Sequence, residues 1–412
     1  MDDLNTKVAN ILRVKFKMNL FENYYTDPSR QKIILDPKHK EAAKTQATQC
    51  PVLLQNKNKT LPISKTVGTL AVIGQLADDP ENQIGCWAPD GKAQDSITPL
   101  TSLKAALPSS KIIYAQGYKD TRSTDTSYFN EAIAAASQAD RVLLFLGEDN
   151  GLSGESNARA YINLPGVQEE LVRQIAKTGK PIAAVIYAGR SLLLEPILPY
   201  VDSVLYAWHL GTMAGPALTD LLLGNVSPSG KLPITFLRAT GQIPLYYNKK
   251  NTGRPNDTHE YQPFTSSYID IDTTPLFPFG FGLSYSSFSY SNLKLSKNAI
   301  SFGESMIVSA TVKNEGTVKA DEIVFLFVRY LVGSYTRPVK ELKDFERVTL
   351  SPGESTSVSF VISSEKLKFW TRDKEFKAEA GKFNVWIGKN CLEGLQGSFD
   401  LLPTQAEFET LE

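Results

Sequence analysis

The sequence predicts an α/β domain, a mostly parallel sheet covered by helices, followed by a separate all-β sandwich of immunoglobulin-like type. Between residues 69 and 223, short apolar runs alternate with helix-patterned stretches, as parallel strands joined by crossover helices do. After residue 231 the composition turns to Pro, Gly, Tyr and Phe with little periodicity. From 288 to 402 short strands are separated by turn signals such as Asn314-Glu-Gly316 and Pro352-Gly353, and about seven such strands make a sandwich.

The elements follow in order. Residues 4–21 read as one amphipathic helix, with Leu4, Val8, Ile11 and Leu12 on a shared face. A polar, proline-punctuated linker completes the segment 1–35. Pro37 suits the first turn of a helix running to about residue 54. The α/β domain, 36–232, has strands at 69–74, 111–115, 141–147, 181–188 and 203–208. Its helices are placed at 100–107, 128–139, 167–178 and 213–223, the last stopped by Gly224. Residues 233–287 form an ordered connecting segment packed by aromatics. The sandwich, 288–402, has strands at 307–312, 323–330, 356–362 and 382–387, and a tail spans 403–412.

Composition narrows the function. Lysine plus arginine equals aspartate plus glutamate, 44 each, for a net charge of zero. That argues against a nucleic-acid or anionic-membrane partner. No apolar run approaches the length of a membrane span, and the first residues predict no secretory signal. Cys50, Cys86 and Cys391 lie far apart, which excludes a zinc ribbon or a disulfide scaffold. His39, His209 and His259 lack ligand-like spacing, so no metal or other cofactor is expected. Gly224-Asn-Val-Ser-Pro-Ser-Gly-Lys231 is one residue too long for a P-loop. Gly280-Phe-Gly282 lacks the third glycine of a dinucleotide fingerprint, and there is no G-x-S-x-G elbow.

The candidate site is the loop after strand 141–147, which carries Glu148, Asp149 and Glu155 among Gly147, Gly151 and Gly154. Open α/β sheets bind ligands just outside the carboxyl ends of their strands. Taken alone, the loop has two readings, a solvated surface or acid/base work by a carboxylate. Glu148 is a sugar or water ligand, or simply a solvated strand end. Arg159 pairs with Glu155, lowering its pKa, or is an ordinary surface cation. Trp87 stacks on a sugar or packs between domains. Trp208 and His209 line the same crevice or sit in the interior. Arg254 belongs to a turn within reach of the cleft, and Trp370 and Trp386 are expected as core or inter-domain packing.

Nearly the whole chain, residues 2–402, resembles the carboxy-terminal portion of glycoside hydrolase family 3 enzymes, most of all the bacterial periplasmic β-glucosidases. The resemblance rests on residues 11–21, on Pro51-Val-Leu-Leu-Gln-Asn-Lys57 and Val72-Ile-Gly-Gln-Leu-Ala77, and on Gly154-Glu155-Ser-Asn-Ala-Arg159. It continues in Thr178-Gly-Lys-Pro181, Pro228-Ser-Gly-Lys-Leu-Pro233, Asn251-Thr-Gly-Arg-Pro255, residues 277–285, Arg337-Pro-Val-Lys-Glu-Leu342 and residues 350–354. It implies a six-stranded α/β sandwich followed by a fibronectin type III domain. It also implies retaining hydrolysis of β-glucosides or related saccharides, with Glu155 as general acid/base and Glu148, Arg159 and Trp87 as candidate substrate contacts. Many members have Glu-Gly-x-Asp-Arg at this loop, whereas here Ser156-Asn157-Ala158 intervenes.

In the family a preceding barrel supplies the nucleophile, and this sequence presents none. Expected partners are therefore a barrel polypeptide in trans, and another copy of the chain through the helix at 4–21. The family also suggests a periplasmic or secreted setting. The alternatives are a β-xylosidase, a non-catalytic carbohydrate-binding or interaction module, and an inactive fragment.

Overall fold

The computed structural model describes residues 1–256 and 260–403. His259 and all but the first residue of the predicted tail lie outside the described residues. The chain divides into two compact units, residues 1–43 and 44–412. In the first, helix α1 (Asp2–Lys17) has Asp2 and Asp3 in its first turn and Lys15 and Lys17 in its last, complementing the helix dipole. It ends earlier than the pattern suggests because Asn19 turns to positive φ (55°). None of its residues is buried. The predicted linker contains a 3-10 helix, Pro28–Ile33, capped by Asp27.

Helix α2 (Pro37–Gln49) runs into the second unit and is five residues shorter than predicted, 49 against 54. Pro51 cannot continue the helical hydrogen bonding, and the apolar residues after it form strand β1 (Val52–Asn56) instead. The chain continues through β2 (Thr69–Ile73), a short helix α3 (Pro80–Gln83), α4 (Pro99–Ala106), β3 (Lys111–Ala115), α5 (Phe129–Gln138) and β4 (Arg141–Gly147). Then come α6 (Gln168–Ala176), β5 (Ile182–Tyr187), β6 (Ser203–Tyr206) and α7 (Ala214–Leu222). The six strands are ordered β1-β6-β5-β4-β2-β3. All neighbours are parallel except β1, which runs antiparallel to β6.

Alternate residues of β4 feed two cores. Val142, Leu144 and Leu146 pack with Ala132 and Ala136 of α5 and Leu171, Val172 and Ile175 of α6. Leu143 and Phe145 pack with Leu100 and Leu103 of α4 and Leu218 and Leu221 of α7. A strand buried on both faces must be apolar throughout, hence the unbroken run in the sequence. Each such side chain contributes roughly 1.5–3 kcal/mol on burial.

The sandwich comprises β7 (Phe288–Leu295), β8 (Ala299–Ile300), β9 (Ser305–Asn314), β10 (Ala320–Tyr330), β11 (Glu341–Leu350), β12 (Ser355–Ser363), a small hairpin of β13 (Phe369–Trp370) and β14 (Phe376–Lys377), β15 (Gly381–Gly388) and β16 (Leu395–Leu401). A sheet ordered β11-β10-β15-β16-β8 faces one ordered β12-β9-β7. No strand is shared with the α/β sheet.

Strand β10 is also buried on both faces. Val324, Leu326 and Val328 enter the sandwich core, while Ile323, Phe325 and Phe327 pack on Tyr247 and Phe279 of the connecting segment. Trp386 joins this outer cluster, with Lys340 Nζ 4.3 Å from its ring centre. Trp370 departs from the packing expectation: it lies exposed on the hairpin, its ring 5.5 Å from that of Phe376.

A buried ion pair joins the two folds. Lys231 Nζ lies 3.1 Å from Glu322 Oε2, with side chains 9% and 4% exposed. Lys231 also donates to Gly282 O, and Tyr290 donates its hydroxyl to Glu322. Glu322→Gln retains an acceptor for Tyr290 but leaves the buried Lys231 ammonium without a counter-charge, so it is expected to cost about 3–5 kcal/mol. Urea unfolding measures this. No helix among the described residues is long and apolar enough to cross a membrane.

Candidate active site

The site sits where β4 ends. Gly147 has φ +132°, and a Cβ there would fall 1.8 Å from Tyr187 O, so only glycine lets the chain leave the sheet at this point. Gln168 of α6, fully buried, accepts from Gly147 N (2.7 Å) and donates to Gly147 O and Thr121 O. The loop therefore starts from a pinned end.

The loop's three acids meet three different fates. Glu148, expected as a solvated strand end or a ligand, has no exposed surface. Its carboxylate accepts from Arg159 (2.6 Å), from Arg190 Nε (3.2 Å, to Oε2) and from Ser153 Oγ (3.0 Å), with Arg190 Nε also 3.0 Å from Oε1. Asp149 caps the following 3-10 turn through Gly151 N and is held bidentately by Arg122 at 2.5 and 2.8 Å, with Thr121 adding a further bond. Burial alone would raise the Asp149 carboxyl, but the bonds from Arg122 and Thr121 outweigh it and hold the pKa below the ordinary value.

Glu155 is exposed and, among the described residues, its carboxylate has neither a hydrogen bond nor an ion pair. It sits at the tip of the turn Ser153–Ser156. Asn157 closes that turn by donating its backbone N–H to Gly154 O (3.2 Å) and its side-chain amide to Ser153 O (2.9 Å). Arg159 is thus turned away from Glu155 toward Glu148. A spacing of four residues brings side chains together on a helix, and this segment is not helical.

Trp87 is 72% exposed, contrary to the packing expectation. Its indole lies against Gly154, where a Cβ would stand 3.7 Å from the ring and 2.8 Å from Cys86 Sγ. An exposed aromatic face therefore borders the turn that carries Glu155. An open hollow of about 560 Å³ adjoins it, lined by Glu81, Ile84, Gly85, Cys86 and Asn150.

His209 approaches the backbone of Gly85, and its Nδ1 lies 3.2 Å from Asn82 O. Burial holds its pKa below the ordinary value. Trp208 packs edge-on against Tyr206 (4.7 Å), as an interior residue would. Arg254 is exposed in its turn. Sequence reasoning missed Arg190 and Ser153. The available signal was positional: Arg190 follows the buried run of β5, and the carboxyl ends of neighbouring parallel strands share one edge of the sheet.

Residues 51–285 match the C-terminal domain of glycosyl hydrolase family 3, and residues 322–391 match a fibronectin type III-like domain. A periplasmic β-glucosidase from Salmonella typhimurium is 37% identical over 430 residues, covering 98% of this chain and 56% of the relative. A β-xylosidase from Formosa agariphila is 35% identical, covering 94% of this chain and 54% of the relative. The crystal structure of a β-glucosidase from Listeria innocua in complex with isofagomine superposes with a TM-score of 0.89 at 32% identity, covering 95% of this chain and 54% of that one. The same enzyme, as a D270A mutant, has been crystallised with laminaribiose. The chain spans about half the length of the curated relatives it matches.

Proposed function

The chain belongs to glycoside hydrolase family 3, and from that premise we propose that it supplies the acid/base side of a retaining β-glucosidase-type site, with Glu155 as the general acid and base. One observation carries the reading. Of the three acids on this loop, Glu148 and Asp149 are occupied by arginines, and Glu155 alone is free at the tip. Trp87 beside it offers an apolar face suited to a sugar ring or aglycone. Glu148 and Arg159 serve the loop's structure in this reading and do not contact the saccharide.

Retaining hydrolysis needs a second carboxyl group roughly 5–5.5 Å from the first, and the barrel of the family would bring it. That carboxylate attacks the anomeric carbon as Glu155 protonates the glycosidic oxygen and the aglycone leaves. The Glu155 carboxylate then takes a proton from water, whose oxygen attacks the anomeric carbon and frees the nucleophile. The substrate class is a β-glucoside. A β-xyloside is the runner-up, favoured by the similar identity to the β-xylosidase of Formosa agariphila. The exposed Trp370–Phe376 pair favours a second reading, a saccharide-binding module.

The test is Glu155→Gln in complex with a barrel polypeptide. A general acid/base typically contributes about 10²–10⁴-fold. On an aryl β-glucoside the good leaving group needs little protonation, so the variant should stall at the second step. Azide, which needs no base, should restore turnover and yield a β-glycosyl azide. Full activity of the variant without azide would transfer the role to another carboxylate. Retained binding of β-glucan by a variant with no catalytic loss would favour the binding module.

A further inference from the structure

Resting on the assignment of Glu155, we propose that Arg190 is the residue that positions it. Arg190 lies beyond β5, and its guanidinium reaches across the sheet edge to the loop after β4. Its Nε pairs with Glu148. Its Nη2 donates to two backbone carbonyls, Leu152 O and Asn157 O, the latter at 2.8 Å. These carbonyls flank Ser153–Ser156, the turn that carries Glu155. One planar group just beyond the neighbouring strand β5 thus ties both feet of the turn.

Arg190 is itself anchored. Its carbonyl accepts from the Tyr206 hydroxyl of β6, which also accepts from Leu192 N (3.3 Å). Gly189 N donates to Ser153 Oγ (3.2 Å), and a Cβ at Gly189 would fall 2.6 Å from that oxygen. A continuous set of contacts therefore runs from the rigid sheet to the base of the turn. Apart from the two bonds donated by Asn157, the turn has little else to hold it, because Gly154, Glu155 and Ser156 are exposed and Ser156 sits at positive φ (65°).

A misplacement of about 1 Å can cost roughly a hundredfold in rate, so a catalytic carboxylate on a soft turn needs such a support. The arginine fork suits the task. A lysine supplies the charge that Glu148 requires, but its ammonium is a single point rather than a planar array of donors.

The test compares Arg190→Lys with the wild-type chain, with Arg159→Lys as control. Arg159 serves Glu148 and Asn163 O but neither flanking carbonyl. Arg190→Lys should melt near wild type, while amide exchange across residues 152–158 rises about tenfold or more, with α6 unchanged. With 5-fluorotryptophan incorporated, the fluorine signal of Trp87 should shift or broaden, and those of Trp370 and Trp386 should hold. Arg159→Lys should leave exchange in 152–158 within about twofold of wild type.

In complex with a barrel polypeptide, Arg190→Lys should lower kcat about ten- to a hundredfold with little change in KM. The loss in kcat/KM, which reports the glycosylation step, should be larger for poor leaving groups, which depend on the acid. Unchanged exchange and an unchanged Trp87 signal would overturn the proposal, as would equal losses in kcat/KM on good and poor leaving groups. If Arg190→Lys melts far below wild type, the tethers are read instead from Asn157→Ala, which removes the side-chain amide on Ser153 O and keeps both carbonyls that Arg190 holds. Exchange in 152–156 should then stay within about twofold of wild type, and a rise of about tenfold would show that Asn157, not Arg190, holds the turn. An unaffected Glu155→Gln enzyme would remove the premise, while the exchange and fluorine results would still decide whether Arg190 holds the turn.

Discussion

Glu148→Gln is expected to lower the unfolding free energy by about 3–5 kcal/mol, read as a fall in the urea midpoint of the α/β domain. The carboxylate is fully enclosed, and the two guanidinium groups on it are only 17% and 22% exposed by side chain. Glutamine keeps one acceptor oxygen and replaces the other with an amide donor that faces N–H groups. Two largely buried cations would then share a site with no counter-charge, and removing one member of a buried pair is far more costly than the pair's net worth.

Salt separates this effect from a surface one. Exposed pairs are screened at about 1 M ionic strength and buried pairs much less, so the deficit should persist there. Arg122→Gln is the control, because Arg122 is 55% exposed in its pair with Asp149. Such a pair is worth at most about 1 kcal/mol. A Glu148→Gln chain as stable as wild type, or a deficit erased by salt, would show that the network adds nothing.

The fold was legible where burial imposes a simple pattern. The central strands β4 and β5 are covered on both faces, so nothing but a continuous apolar run could occupy them, and helices α4 to α7 have one face on the sheet. Strand β1 was misread because Val52-Leu-Leu54 is too short to tell strand from helix, and a helix pattern led into it. Pro51 was the punctuation that should have ended that helix. The exposure of Trp370 was hidden by composition, since a tryptophan in a β-rich stretch reads as core until the two-residue hairpin around it is known.

From local pattern alone the site was legible only to the level of the loop, and it was the family resemblance that singled out Glu155. Three acids stood on it, and no local rule could rank them. What distinguishes them in the structure is the identity of their partners: Arg190 lies 42 residues from Glu148 and Arg122 lies 27 from Asp149. Both contacts are made by the stacking of strand ends along one edge of a parallel sheet. The same non-local geometry redirects Arg159. The position of Trp87 against Gly154 likewise depends on how the segment after α3 folds over the strand ends.

Expressed alone, the 412-residue chain is expected to give no measurable turnover of an aryl β-glucoside. A lone general acid contributes about 10²–10⁴-fold, while enzymes accelerate reactions typically by 10⁶-fold or more. The difference comes from a nucleophile, from positioning and from substrate distortion. The other acids of the loop cannot serve as nucleophile, because Glu148 is enclosed between two arginines and Asp149 is held by Arg122. Addition of a polypeptide carrying the family's barrel should produce turnover that saturates with partner concentration. Sugar preference should follow the barrel that is added, so that a barrel from a β-xylosidase redirects the same chain to β-xylosides. Within such a complex, Glu155→Gln should depress hydrolysis of alkyl glucosides, whose leaving groups need protonation, more than the glycosylation step of activated aryl glucosides. Robust turnover by the chain alone would mean that a carboxylate within it acts as nucleophile, and the account of a nucleophile supplied by the barrel would fall.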